Sequence, residues 1–168
     1  YHDASEANIN AAKVDEEYIA QCNAQGFYPA AYYPHNIHFL WAASTMEGRS
    51  ELSIESALKV AKYVTLDQIK LFPTIEYFHT IPLLSYVRFG KWEEILNSSK
   101  PAPEFKYSQG IYHYAKGMAY AARGELQKAR EEQSQILPLK ESKEVKYLKI
   151  DARRSYNDWS FGITSRSN

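Results

Sequence analysis

Histidine is the side chain in this sequence with the widest chemistry, because an imidazole can bind a metal, exchange hydrogen bonds and titrate near neutral pH. Three of the five histidines recur ten or eleven residues before a glycine: His38 before Gly48, His79 before Gly90 and His113 before Gly124. A fourth, His35, lies three residues before His38 in the segment PHNIH, which puts both rings on one side of a helix. If the three segments are equivalent helices, their imidazoles form a ladder along one surface.

Carboxylate, ammonium and phenol groups accompany these histidines on the same predicted helices. Glu76 lies three residues before His79, and Lys116 lies three residues after His113. Two of the glycines are preceded, four residues earlier, by a tyrosine. Such a surface is suited to a peptide, an anion or a metal. The sequence indicates no catalytic residue, no metal ligand set and no cofactor. The candidate groove and ligand-binding residues are His35, His38, Glu76, His79, Tyr86, His113, Lys116 and Tyr120.

Three roles of the imidazole ladder stay open at this point. In helices rich in alanine and tyrosine, a histidine often hydrogen-bonds a backbone carbonyl or a phenol and serves the fold alone. A second role is contact with a partner or a ligand. A metal site is the third, but it needs three or four ligands within about 2.0–2.2 Å of one point. Packed helices lie about 8–10 Å apart, which opposes a metal site unless His35 and His38 both turn toward His79.

Composition argues against several classes of protein. Lys plus Arg and Asp plus Glu both number 20, and a net charge of zero argues against a nucleic-acid surface. The apolar runs are far shorter than the roughly 20 residues that span a bilayer, so we expect no membrane insertion. A single cysteine, Cys22, excludes an internal disulfide framework and fits either cytoplasm or periplasm. Glycine-rich phosphate loops, G-x-S-x-G and H-E-x-x-H are all absent.

Apolar residues at three- and four-residue steps predict helix over almost the whole chain. Pro34 is expected to begin a helix, where a proline loses no hydrogen bond, and Pro138 to end one. We predict one helical domain over residues 1–156, followed by a loose tail over 157–168. Within the domain we expect a half repeat over 1–24, helical hairpins over about 34–64, 75–98 and 107–137, and a final helix over about 140–156.

Glycine-punctuated helix pairs recur along the chain at intervals of 42 and 34 residues, and the second interval is that of tetratricopeptide repeats. The segments FYPAAYYPHNIHFLWAASTMEGRS, VRFGKWEEIL and YHYAKGMAYAARGELQKA resemble a family of bacterial tetratricopeptide-repeat proteins of unknown activity, to which a vertebrate repeat protein is similar. The resemblance covers residues 1–137. It implies an all-α, tetratricopeptide-repeat-like superhelix, a solenoid of antiparallel hairpins, and it implies that the chain is an internal piece of a longer protein.

These features favour a protein-interaction scaffold, in which the first helices of the hairpins line a concave groove that binds a peptide or a partner protein. The alternative is a ligand- or metal-dependent enzyme whose site lies in the histidine-lined groove. A third hypothesis is architectural. In it the chain is one wall of a larger solenoid, or of a homo-oligomer formed through the apolar surface of residues 1–20, which lack a hairpin partner.

Overall fold

The structure is a computed structural model that describes residues 1–22, 27–143 and 145. Within these residues every regular element is helical and no β-strand occurs, so the all-α prediction is confirmed. A single 3₁₀ turn, Pro73–Glu76, leads directly into the fifth α-helix. The α-helices are α1 (His2–Cys22), α2 (Phe27–Glu47), α3 (Ser50–Tyr63), α4 (Leu66–Leu71), α5 (Tyr77–Arg88), α6 (Trp92–Leu96), α7 (Lys106–Ala122) and α8 (Leu126–Lys140).

The helices pack in chain order. α1 lies on α2, α2 on α3, and α3 on α5; α5 then contacts both α6 and α7, and α7 contacts α8. The short α4 packs on the 3₁₀ turn and leaves α3 and α5 in direct contact. α1 and α8 therefore stand at the two ends of the packing order.

Three glycines end the helices α2, α5 and α7 with the same local geometry. Gly48, Gly90 and Gly124 have φ values of 77°, 66° and 77°, a left-handed conformation that costs glycine little. In each turn the amide after the glycine donates to a carbonyl five residues earlier: Arg49 to Ser44 (3.0 Å), Lys91 to Tyr86 (2.9 Å) and Glu125 to Tyr120 (2.9 Å). This is the Schellman motif, and its recurrence gives the pairs α2–α3, α5–α6 and α7–α8 one common register.

Two apolar clusters hold the helices together. One joins α1, α2, α3 and α5 around Tyr33, Ile37 and Ile81, of which none is more than 1% exposed. The other packs Ile95 of α6 against Ala115 of α7. Each fully buried isoleucine stabilises the fold by about 1.5–3 kcal/mol relative to an exposed one. The alanine lets the two helices approach closely, so a larger residue there would overpack the contact.

The start of α2 differs from the sequence prediction. The helix begins at Phe27 and continues through Pro34, although an interior proline costs about 3 kcal/mol in a helix. Tyr33 and Ile37, on either side of Pro34, are fully buried, and this packing offsets that cost. Pro138 likewise lies inside α8, which continues to Lys140, two residues past this proline.

One element, α4, was not predicted. Its local signal is Thr65, whose hydroxyl accepts the amide of Gln68 at 3.3 Å while the Gln68 side chain accepts the amide of Thr65 at 2.8 Å. This reciprocal capping box is a short-range start signal that needs no periodic stripe. Two other predictions, the final helix over about 140–156 and the tail over 157–168, fall outside the described residues, except at 140–143 and 145.

Candidate functional site

Glu76, one of the eight candidates, caps a helix. The residue is only 6% exposed, and its carboxylate accepts the backbone amide of Ser108 at 2.8 Å. Ser108 lies in the first turn of α7, where amides lack partners within the helix and a negative charge is favourable. Burial, with a further contribution from this carboxylate, raises the pKa of the neighbouring Tyr107. Glu76 therefore ties the start of α5 to the start of α7.

Two more candidates bind carbonyl groups at the opposite ends of helices. His79 forms a hydrogen bond through Nε2 with the carbonyl oxygen of Val64, the residue that caps α3. Lys116 donates from Nζ to the carbonyl oxygen of Leu96, the last residue of α6, at 3.0 Å. In both cases a first helix satisfies an unpaired carbonyl of the second helix before it. The two side chains thus join consecutive hairpins.

The remaining candidates of α5 and α7 act within hairpins. His113 is 6% exposed, and its Nδ1 lies 2.6 Å from Oε2 of Glu132 on α8. Tyr86 packs against the cluster around Ile95. The ring of Tyr120 lies under the ammonium group of Lys128, 5.3 Å from the ring centroid. These contacts connect α5 to α6 and α7 to α8.

His38 has a different environment, at the contact between α2 and α5. Its ring stacks on Trp41 with centroids 5.3 Å apart and meets the edges of Tyr77 at 5.6 Å and Phe78 at 5.2 Å. Trp41 is fixed from α5 by a 2.6 Å hydrogen bond from its indole nitrogen to the hydroxyl of Ser85. The Nε2 atom of His38 is buried and has no hydrogen-bond partner. Such an atom costs about 1–3 kcal/mol.

The outer edge of this contact is open to solvent. His35 is exposed and its ring lies 4.6 Å from that of Phe39, which is 51% exposed. Burial, and to a smaller extent the charge of His35, lowers the pKa of His38, so the inner imidazole is neutral at pH 7. We call the residues His35, His38, Phe39 and Trp41 of α2, with Tyr77 and Phe78 of α5, the α2–α5 seam.

The imidazoles of the predicted ladder lie in three separate environments. His38 contacts α5, His79 contacts α3, and His113 contacts α8. The common glycine register makes His79 and His113 equivalent, but the same position in α2 is Ile37, which is 1% exposed. One residue of offset turns His38 by about 100° around its helix. The structure therefore keeps His35 and His38 together and directs the other two toward helix partners.

Comparison with known proteins adds no assignment to this geometry. No family model, curated protein or solved structure matches the chain. Among the residues that the structure describes, no three His, Cys, Asp or Glu side chains are grouped so that they could hold a metal ion. The described helices also include none with the length and apolar character needed to cross a bilayer.

The aromatic half of the seam was missing from the sequence-based candidates. Phe39 and Phe78 have no polar group, and Tyr77 has only a phenol, so residue type alone did not single them out. A signal was present, since Trp41 follows His38 by three residues and two rings at that spacing share one face of a helix. The partner rings on α5 are about 40 residues away, and only the folded chain brings them to His38.

Proposed function

We propose that this chain is a tetratricopeptide-repeat-type solenoid that acts as a protein-interaction scaffold. Its first helices α2, α5 and α7 line one side, and a segment of a partner protein binds there. The observation that carries this proposal is the Schellman closure repeated at Gly48, Gly90 and Gly124 with the same hydrogen bonds. Repeated hairpins in one register present equivalent helices side by side, which produces an extended binding surface.

The groups left over for a partner lie at the α2–α5 seam. Six of the eight candidate residues use their polar atoms or rings inside the stack: Glu76, His79, Tyr86, His113, Lys116 and Tyr120. We assign them the task of holding the first helices in place. His35 is exposed, and Phe39 beside it presents half of its surface to solvent.

The chemistry of the exposed edge defines the partner segment. An apolar side chain of the partner packs on Phe39, and a carbonyl or carboxylate oxygen next to it accepts a hydrogen bond from the ring of His35. Behind this edge, the ring of His38 packs against the rings of Trp41, Tyr77 and Phe78. Aromatic groups on a rigid base are typical of the residues that carry most of the energy in protein interfaces.

Selection from a displayed library of random peptides tests the proposal. Peptides enriched on the immobilised wild-type chain are synthesised, and their affinities are measured for the wild type and for a variant carrying His35→Ala and Phe39→Ala. We expect the double variant to bind on the order of ten-fold more weakly. The matched control is Leu71→Ala on α4, which is 74% exposed and lies outside the seam. Equal binding by the double variant, or no enrichment at all, contradicts the proposal.

A further inference from the structure

A groove of about 370 Å³ lies between α7 and α8. Its apolar walls come from Met118 of α7 and from Leu126 and Ile136 of α8. Gly117 also lines it, and a Cβ added there would lie 3.6 Å from the carbonyl oxygen of Ala129, so the two helices are close at this point. Pockets for small molecules have volumes of about 300–1,000 Å³ and mostly apolar linings. The groove therefore has the size and the lining of a small-molecule site.

His113 places one buried polar atom at this groove. The residue is only 6% exposed, and its Nδ1 lies 2.6 Å from Oε2 of Glu132. Because a carboxylate accepts hydrogen bonds, Nδ1 carries the proton and Nε2 of the neutral ring is an acceptor. Within the described part of the chain, Nε2 of His113 has no hydrogen bond. It is also open to a ligand, since His38 Nε2 is the only fully enclosed, unpaired side-chain nitrogen or oxygen of the described residues.

Arg130 places a cation at the rim of the groove. Its side chain lines the groove and is exposed, and it has no ion pair or hydrogen bond with any described residue. Lys128, two residues earlier on α8, is by contrast paired with Glu125 at 2.6 Å. A guanidinium group binds a carboxylate through two parallel hydrogen bonds. An acid with an apolar body therefore suits both the rim and the walls.

A packed helix would not satisfy this arrangement. The backbone amides of a helix are used within it, so a helix that covered the groove with apolar side chains would leave Nε2 of His113 unpaired. A bare metal ion is also a poor fit, because no three His, Cys, Asp or Glu side chains of the described residues are grouped so that they could hold one. A small molecule with its own hydroxyl group meets the acceptor directly.

We propose that the groove between α7 and α8 binds a small hydroxy acid with an apolar chain. The hydroxyl group donates to Nε2 of His113, the chain lies along the apolar walls, and the carboxylate pairs with Arg130. This site is separate from the α2–α5 seam, so the proposal does not depend on the scaffold function.

Calorimetric titration of the whole chain with a series of straight-chain ω-hydroxy acids of increasing length tests the site. The comparison ligands are the unsubstituted acid of the same length, which lacks the hydroxyl group, and the methyl ester of the hydroxy acid, which lacks the charge. We expect the best hydroxy acid to bind roughly five-fold more tightly than either one. Absence of binding by the whole series overturns the proposal, and so does equal affinity for the acid with and without the hydroxyl group.

The role of the cation is tested at Arg130, which is exposed, so that its replacement keeps the fold. Arg130→Gln should weaken binding of the hydroxy acid roughly five-fold and leave binding of its methyl ester unchanged. The matched control is Lys140→Gln, which removes one exposed positive charge from the same helix outside the groove lining. Equal effects of the two substitutions on the hydroxy acid overturn the proposed pairing.

The role of the imidazole is tested with His113→Asn. The amide nitrogen of asparagine occupies the position of Nδ1 and can still donate to Glu132, but asparagine has no atom at the position of Nε2. This variant should bind the hydroxy acid and the unsubstituted acid equally, while its free energy of unfolding shows that the fold is retained. A folded His113→Asn variant that still prefers the hydroxy acid overturns the proposal. If the variant unfolds, the ligand comparison on the wild type and the Arg130 pair decide it.

Discussion

His79 of α5 forms a hydrogen bond with the carbonyl oxygen of Val64, at the end of α3. The imidazole thus gives this carbonyl oxygen a hydrogen-bond partner that α3 cannot supply, because the last carbonyls of a helix have no partner within it. Lys116 does the same for Leu96 one hairpin later. Polar groups that suggested a binding surface therefore stabilise the contacts between hairpins.

Replacing His79 should reduce stability. We expect His79→Ala to lower the free energy of unfolding by about 1–3 kcal/mol, because the Val64 carbonyl loses its partner. Urea unfolding followed by circular dichroism measures the change. The control is His35→Ala, an exposed site at which the loss should stay within about 0.5 kcal/mol. Equal effects of the two substitutions contradict a structural role for His79.

Glu76 tests the same kind of role, in which a side chain supplies the hydrogen-bond partner of a backbone group at a helix end. We expect Glu76→Ala to destabilise the fold by about 1–3 kcal/mol, since the buried Ser108 amide is left without an acceptor. Glu76→Gln keeps an acceptor oxygen and should recover much of the loss. Thermal unfolding of both variants, with Glu104→Ala at an exposed site as control, gives the comparison. If glutamine is no better than alanine, the hydrogen bond is not what Glu76 contributes.

Alanine in place of a turn glycine and of a helix glycine should change stability in opposite directions. Gly124 has a φ of 77° and free space around its Cβ position, so Gly124→Ala should cost about 1–2 kcal/mol through backbone strain alone. Gly110 lies inside α7 with equal space, and Gly110→Ala should instead stabilise the chain by about 0.5–1 kcal/mol. Melting temperatures of the two variants should shift in opposite directions. A rise in melting temperature for Gly124→Ala would contradict the left-handed turn, and a fall for Gly110→Ala would contradict the stabilisation expected inside α7.

The partly buried imidazole of His38, in the seam, makes stability depend on pH. Burial lowers the pKa of His38 in the folded chain, so below about pH 6.5 the unfolded chain binds a proton that the folded chain resists. The stability associated with neutral His38 is complete above that pH and is lost as the pH falls toward the folded pKa. His38→Phe removes the titrating group and keeps a ring in the cluster. Unfolding free energies at pH 8 and pH 5 should therefore differ less for this variant than for the wild type.

A control separates this effect from other titrations. Leu71→Ala changes an exposed residue that does not titrate and lies outside the seam, so its pH dependence should match that of the wild type. If His38→Phe retains the full wild-type loss between pH 8 and pH 5, the seam is not the source of the acid sensitivity.

Local signals explain what the sequence alone could predict. A Schellman turn depends on one glycine and on hydrogen bonds within six residues, so Gly48, Gly90 and Gly124 were identifiable as helix ends. The start of α2 was not, because the helix passes through Pro34 only where Tyr33 and Ile37 are buried by other helices. Packing between distant segments decided that boundary.

The candidate site shows the same limit. The pair His35 and His38 was visible in the sequence, whereas the partners of His79 and His113 come from separate helices. Moreover, His38 lies one residue out of register with His79, and that small offset directs it to Tyr77 and Phe78 instead. Residue type and spacing located the groups, and only the packed helices determined their partners.

Parallel measurement of peptide affinity and unfolding free energy in two double variants tests the division between binding and structural residues most directly. For His35→Ala with Phe39→Ala, we expect that affinity for a library-selected peptide falls on the order of ten-fold while stability stays within about 1 kcal/mol. For His79→Ala with His113→Ala, we expect a loss of about 2 kcal/mol or more in stability. The reverse pattern, with stable His79 and His113 variants that no longer bind the peptide, would contradict this division.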